Sequence, residues 1–223
     1  LGNHRRPGVH GSTRLFQVLP VGLDRRALPP LATSDRTNVP PATSPILGRE
    51  GDLLAVAELF GMGVRLVTIV GPEGIGRRRF VEQLARHPPA TIAQGGGSRL
   101  IRPATSDPLE LVRATGSALG VPMPTAGSME RAVEQIGHAV AALGPVLLAF
   151  EGTVDATDVL AHWLDLANDL RILLQGPEPT GARGEVPFQL RHLPTPTAHA
   201  GLHDDAVRIY SQAALKVRGD FEL

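Results

Sequence analysis

The sequence predicts an α/β fold in which a parallel sheet is covered by helices on both faces, and two observations support this. Short apolar runs, such as RLVTIV (65–70), PVLLAF (145–150) and LRILLQG (170–176), have the length and composition of buried strands. Longer segments with apolar residues at helical spacing lie between them, and such β–α alternation is typical of parallel sheets. We therefore expect a three-layer α/β core with a parallel sheet, preceded by a Pro-rich linker and a short N-terminal strand segment.

The first half of the chain divides into a strand segment, a linker and the start of the core. Within residues 1–23, the stretch TRLFQVLPVGL alternates like a β-strand. Prolines and polar residues dominate 24–45, which is typical of an extended linker. A helical pattern then ends at Gly61, and after the strand at 65–70 a second helix is predicted up to Pro88.

The second half continues the alternation. SRLIRPA (98–104) is predicted to be a strand, and the segments 107–120 and 128–144 are predicted to be amphipathic helices that each end at a glycine. A further helix is expected over 156–169, before the strand at 170–176. The segment 204–218 is predicted to be the last helix, with aspartates suited to the dipole at its N-terminus.

Composition excludes several classes of function. The formal net charge is zero and aromatic residues make up only 4% of the chain, which disfavours nucleic-acid binding through charge or base stacking. The absence of cysteine excludes disulfides and thiolate metal sites. No apolar run is long enough to span a membrane, so we expect a cytoplasmic protein with no membrane partner.

The segment LVTIVGPEGIGRRRF (66–80) carries the most specific motif. Gly71 and Gly76 have the spacing of the phosphate-binding pattern G-x-x-x-x-G-K-[ST], and Gly74 lies between them. The strand before and the helix after are where that pattern needs them, so main-chain N–H groups are expected to surround an anion. A glycine-rich turn that binds nothing is the alternative.

Two arginines replace the side chains that this pattern requires. Arg77 stands at the lysine position and Arg78 at the Ser/Thr position. Arginine can contact phosphate, although its planar fork differs from the compact lysine charge. A guanidinium has no lone pair for Mg²⁺, so Arg78 disfavours metal-assisted hydrolysis. The arginines at 77–79 could also form a solvated helix face.

In their order along the chain, these segments resemble a family of actinobacterial multidomain regulators. In that family a class III adenylate/guanylate cyclase domain precedes a P-loop NTPase of the signal-transduction (STAND) type, and LuxR-type DNA-binding domains commonly follow. The resemblance implies a cyclase C-terminal remnant over 1–23, a linker over 24–45, an NTPase domain over 46–194 and the start of a helical domain over 195–223.

The resemblance also implies site residues. PVLLAFEG is similar to the Walker B strand, which places Glu151 at the acidic, catalytic position and makes it the ligand of any Mg²⁺. Gln175, Gly176 and Pro177 stand where the family has a T-S-R sensor. The nucleotide-binding positions implied by the family are Gly48, Arg49, Gly71, Gly74, Gly76, Arg77 and Arg78.

These departures favour a degenerate switch module that binds ATP or ADP weakly and hydrolyses little or none. Its other partners would be domains of the same regulator, without direct binding of nucleic acid by this chain and without cyclase activity. Two alternatives stay open. One is an active ATPase that uses Arg77 in place of the lysine and Glu151 for Mg²⁺, and the other is a fragment without function.

Overall fold

The computed structural model describes residues 2–4, 13–15, 37–42, 45–122, 128–152, 154–193 and 204–218. The strands are β1 Gly2–His4, β2 Thr13–Leu15, β3 Leu66–Val70, β4 Gly97–Ile101, β5 Val146–Phe150, β6 Leu170–Gly176 and β7 Glu185–Gln189. The helices are α1 Glu50–Gly61, α2 Arg77–Arg86, α3 Ala90–Gln94, α4 Pro108–Leu119, α5 Met129–Ala141, α6 Thr157–Leu166 and α7 Asp205–Val217.

The main sheet has five parallel strands in the order β4-β5-β6-β3-β7. All five strands therefore end at the same edge of the sheet, where ligands bind in open α/β folds. The short strands β1 and β2 form a separate antiparallel pair. Most of the segments predicted as 1–23 and 24–45, and all of 195–203, lie outside the described residues.

Two apolar clusters cover the two faces of the sheet. On one face α1, α2 and α3 pack through residues such as Phe60, Phe80 and Ile92. On the other, α4, α5 and α6 pack through residues such as Leu111, Ile136 and Trp163. Burial on both faces explains why the interior strands β3, β5 and β6 are mostly apolar instead of alternating. The predicted three-layer α/β architecture with a parallel sheet is confirmed.

Helix boundaries follow local side-chain chemistry. The side chain of Asp107 accepts a hydrogen bond from the Glu110 N–H at the start of α4, and Ser128 does the same for Arg131 in α5. Gly120 ends α4 with φ of 68°, a conformation that favours glycine. The predicted glycine stop of this helix is confirmed.

Three elements were absent from the sequence prediction, and the first of them is the short strand β1. The strand β7 contains Pro187, and proline lowers the strand signal although an edge strand tolerates it. The helix α3 is a single short turn between Pro89 and Gly95.

Part of the predicted extended linker is docked on the core. The side-chain amide of Asn38 donates to the Leu100 carbonyl at 2.8 Å and accepts from the Leu100 N–H at 2.7 Å. Because β4 is at the edge of the sheet, Asn38 satisfies main-chain groups that a neighbouring strand would otherwise pair. Arg86 of α2 also donates to the Pro40 carbonyl.

Within the described part of the chain, none of the helices combines the length and the apolar character that crossing a membrane requires.

Candidate functional site

The glycine-containing loop connects β3, near the middle of the sheet, to α2. All five residues of β3 are buried, and the loop follows directly at Gly71. Gly74 and Gly76 have φ of 82° and 98°, and residues other than glycine rarely adopt such positive φ angles. Gly76 also precedes the first turn of α2 without a capping side chain, so the helix N-terminus opens towards the loop.

Arg77 lies over this loop. Its Nη1 donates to the Gly71 carbonyl at 2.6 Å, and the side chain is half-buried. A guanidinium carries five N–H donors, so this single bond leaves others for an anion. The Arg77 side chain therefore has further donors available beside the loop.

Glu151 is surrounded by arginines. It follows β5, directly after Phe150, whose register partner Ile101 is followed by Arg102. Arg102 donates Nε to Glu151 Oε2 at 2.7 Å and Nη2 to Oε1 at 3.1 Å, which is a bidentate pair. Arg78 Nε lies 3.1 Å from the same Oε2. The Glu151 side chain is only 6% exposed, whereas that of Arg78 is 69% exposed.

A second carboxylate completes the network. Glu82, one turn after Arg78 on α2, lies 3.6 Å from Arg78 Nε and 3.2 Å from Arg102 Nη2. Burial raises the pKa of the Glu151 carboxyl, and the two guanidinium groups oppose this. Burial also acts to raise the pKa of Glu82, but its hydrogen bonds with Glu151 and Arg102 lower it overall. Two carboxylates and two guanidiniums thus share one cluster at the sheet edge.

An open cavity of about 750 Å³ extends from the loop over α2. Glu73, Glu82 and the segment Pro40–Ala42 form part of its wall. Arginines dominate the charged residues that line it, and these are Arg77, Arg78, Arg79, Arg86 and Arg102. The cavity therefore has the charge to attract an anion.

Gly48 and Arg49 lie on the other side of the loop. Arg49 is buried and donates to the carbonyls of Ile75 and Arg191 and to the Asp52 carboxylate, so it connects the start of α1 to the loop and to the segment that follows β7. A Cβ at Gly48 would come within 3.0 Å of Asp205 at the start of α7.

A second cavity, of about 320 Å³, adjoins the loop on this side. Arg49, Gly74 and Gly76 contribute to it together with Leu193 and residues of α7 such as Ile209. Of the seven predicted nucleotide-binding residues, three glycines belong to the loop, Arg77 and Arg78 follow it on the arginine-lined side, and Arg49 contacts it through Ile75 on the other side, with Gly48 next to Arg49. Glu151 contacts Arg78 on the arginine-lined side.

Sequence reasoning missed Arg102 and Glu82. Arg102 directly follows the predicted strand SRLI, and charged residues after parallel strands meet at one edge. That position was the available signal, but the pairing with Glu151 needs β4 and β5 to be neighbours. Gln175, at the end of β6, also lines the arginine cavity.

The donor set fits phosphate and does not fit Mg²⁺. Magnesium takes oxygen ligands, but Glu151 is bonded by two guanidiniums and Arg78 offers no lone pair. The described residues contain no group of three or more His, Cys, Asp or Glu side chains that could hold a metal. Phosphate, by contrast, is a ligand that arginines and an open helix N-terminus recognise.

No protein-family model matches this chain, and a search of curated proteins finds no match. The resemblance to STAND-type regulators therefore stays a prediction from the sequence.

Proposed function

We propose that this chain is a degenerate P-loop module that binds the phosphates of an adenine nucleotide and hydrolyses little or none of it. One observation supports this above the others. The loop Gly71–Gly76 joins β3, a buried strand between β6 and the edge strand β7, to a helix at the edge of the sheet where ligands bind in open α/β folds, and it opens onto a cavity lined by arginines. A turn that binds no ligand would not require a cluster of arginines beside it.

The two cavities suit the two parts of a nucleotide. The arginine side suits phosphates, and the smaller cavity has apolar walls from Ile75, Leu193 and Ile209 that suit a base. Its contact with α7 would couple a bound nucleotide to the segment that follows the core, as a switch requires. In this proposal the module belongs to a LuxR-type, cyclase-linked regulator and acts on other domains of that regulator.

Slow or absent hydrolysis follows from the chemistry of Glu151. A residue that organises Mg²⁺ or activates water must present free oxygens, and both Glu151 oxygens accept hydrogen bonds from Arg102. Pro177 cannot contact a γ-phosphate. The active ATPase is the alternative, and no contact of Glu151 favours it.

The direct test is calorimetric titration of the full chain with ATP and with ADP, each with EDTA and with Mg²⁺, alongside a turnover assay. We expect binding of at least one nucleotide and no sustained turnover. Absence of binding by both nucleotides in all conditions refutes the proposal. Robust Mg²⁺-dependent turnover establishes the ATPase alternative instead.

Variants locate the binding site. Arg77→Ala should weaken binding several-fold, whereas Arg113→Ala, which removes the same charge from an exposed position on α4, should not. Converting the loop to the standard pattern with Arg77→Lys and Arg78→Thr should raise affinity for ATP in Mg²⁺. No gain from that pair would count against the alignment of Gly71–Gly76 with a phosphate loop.

A further inference from the structure

Arg78 occupies a position between the loop and a buried carboxylate. It stands at the place of the phosphate-loop pattern where a hydroxyl coordinates Mg²⁺. Its Nε reaches Glu151 Oε2 at 3.1 Å, while most of the side chain stays exposed to the cavity. A cation that belongs to the chain therefore contacts the acidic residue from the side on which a phosphate would lie.

Neither carboxylate oxygen of Glu151 is free to coordinate a divalent ion. Oε2 accepts from Arg102 and forms an ion pair with Arg78, and Oε1 accepts from Arg102. Glu82 is engaged with Arg102 as well. A metal ion would have to displace guanidinium groups from a carboxylate that is almost fully buried, and it would lie beside two positive charges.

Positive charge nevertheless remains on the cavity wall. Glu82 and Glu151 form ion pairs with Arg78 and Arg102, but the Arg78 side chain stays 69% exposed on the cavity wall, where it can also meet an anion. Arg77 donates to the Gly71 carbonyl, and Arg86 donates to the Pro40 carbonyl and the Gln83 side-chain amide oxygen. These partners are neutral, so the charges of Arg77 and Arg86 stay available to an anion.

We propose that the loop and the arginine cavity bind an oligophosphate in its metal-free form, with Arg78 in the role of the divalent ion, so that Mg²⁺ weakens binding. This inference rests on the proposed function, because both use Gly71–Gly76 as the phosphate site. The physical reason is charge. Mg²⁺ bound to a phosphate chain cancels negative charge that the arginines would otherwise contact, and it brings a second cation towards Arg78.

The experiment titrates the full chain with sodium tripolyphosphate, ATP and ADP, each in EDTA and in excess Mg²⁺ at matched ionic strength. We expect the Kd of the ligand that binds best to be higher in Mg²⁺ by about tenfold, as the loss of one or two charge-assisted contacts implies. Equal or tighter binding in Mg²⁺ overturns the inference. The tripolyphosphate arm separates a free phosphate chain from a nucleotide as the source of the chemistry.

The variant Arg78→Thr tests the role of this side chain. It should weaken binding in EDTA several-fold and abolish the weakening by Mg²⁺, because the chain's own cation is lost and a hydroxyl is supplied. Arg113→Thr, with the same change of charge on exposed α4, should keep the wild-type response. Arg78 is largely exposed, so the variant should fold, and its unfolding temperature checks this. Wild-type affinity of Arg78→Thr in EDTA would sink the inference.

The outcomes separate the two proposals. Binding of ATP only with Mg²⁺ keeps the proposed nucleotide function and refutes metal-free binding. Binding of tripolyphosphate in EDTA without binding of either nucleotide keeps metal-free phosphate binding and refutes the proposed nucleotide function. Absence of binding by all three ligands refutes both.

Discussion

The contacts around Glu151 allow us to predict how much the Arg102 side chain contributes to the free energy of unfolding. Arg102→Gln removes two charge-assisted hydrogen bonds, at 2.7 and 3.1 Å, from a carboxylate that is 6% exposed. Each such bond contributes roughly 1.5–3 kcal/mol when one partner is charged. Arg102 is itself 46% exposed and Arg78 stays on Oε2, so solvent screening reduces the loss to about 2 kcal/mol.

The matched variants form a double-mutant cycle. Glu151→Gln leaves two arginines that water can solvate, so we expect it to cost about 1 kcal/mol. The double variant removes both charges and should also cost about 1 kcal/mol, which gives a coupling energy of about 2 kcal/mol between the two sites.

Urea unfolding is the assay. Trp163 is the only tryptophan in the chain and is fully buried, so its fluorescence reports the loss of the core. A cost for Arg102→Gln below about 0.5 kcal/mol, or strict additivity of the two single variants, would refute the assignment of a strong buried pair.

Three further predictions follow from single positions. Gly76→Ala should destabilise the folded chain by about 1 kcal/mol in urea unfolding, because Gly76 has a φ of 98° that alanine disfavours. Gly51→Ala in α1 should instead stabilise it by a few tenths to 1 kcal/mol, because the added Cβ meets no atom within 4 Å and alanine favours a helix. Asn38→Ala exposes the edge of β4, so hydrogen exchange at the Leu100 amide should accelerate, and unchanged exchange would contradict the docking of the linker. Burial acts to raise the pKa of Glu185, but polar contacts, among them hydrogen bonds from the Thr180 and Gly181 N–H groups, lower it below its ordinary value. Stability from this group is therefore present above its unfolded-state pKa and is lost on acidification through the lower folded-state pKa. The difference in melting temperature between wild type and Glu185→Gln should accordingly shrink as the pH falls from 7 to about 3.

The elements that the sequence predicted well are those with continuous apolar runs or clear stop signals. The strands β3, β5 and β6 are covered by helices on both faces, so most of their residues are apolar, and Thr68, Arg171 and Gln175 are the polar exceptions. The strand β7 was not predicted because it lies at the edge of the sheet, where only β3 pairs with it. An edge strand tolerates Pro187 and half-exposed positions, so its sequence lacks the apolar run of a buried strand. The docking of the linker was not predicted for a different reason. It depends on contacts of single residues with β4, in which Thr37 bridges to Ser98 and the Asn38 side chain pairs with Leu100 as a strand would.

The candidate site likewise contains features that can be predicted from sequence and features that cannot. The loop glycines and the substitutions at Arg77 and Arg78 are local features, readable from spacing alone. The partners of Glu151 are not local, since Arg102 lies 49 residues before it and Glu82 reaches the cluster from α2. No sequence pattern joins these positions.

By itself, then, the sequence determined the parallel α/β class, the glycine spacing of the loop and the presence of arginines at positions 77 and 78. These depend on burial, backbone freedom and residue chemistry, which act over a few neighbouring positions. Only the tertiary structure decided which groups surround Arg78. The strand order sets β4 beside β5 and places α2 above them, and this geometry joins Arg102, Arg78 and Glu151 across the edge of the sheet.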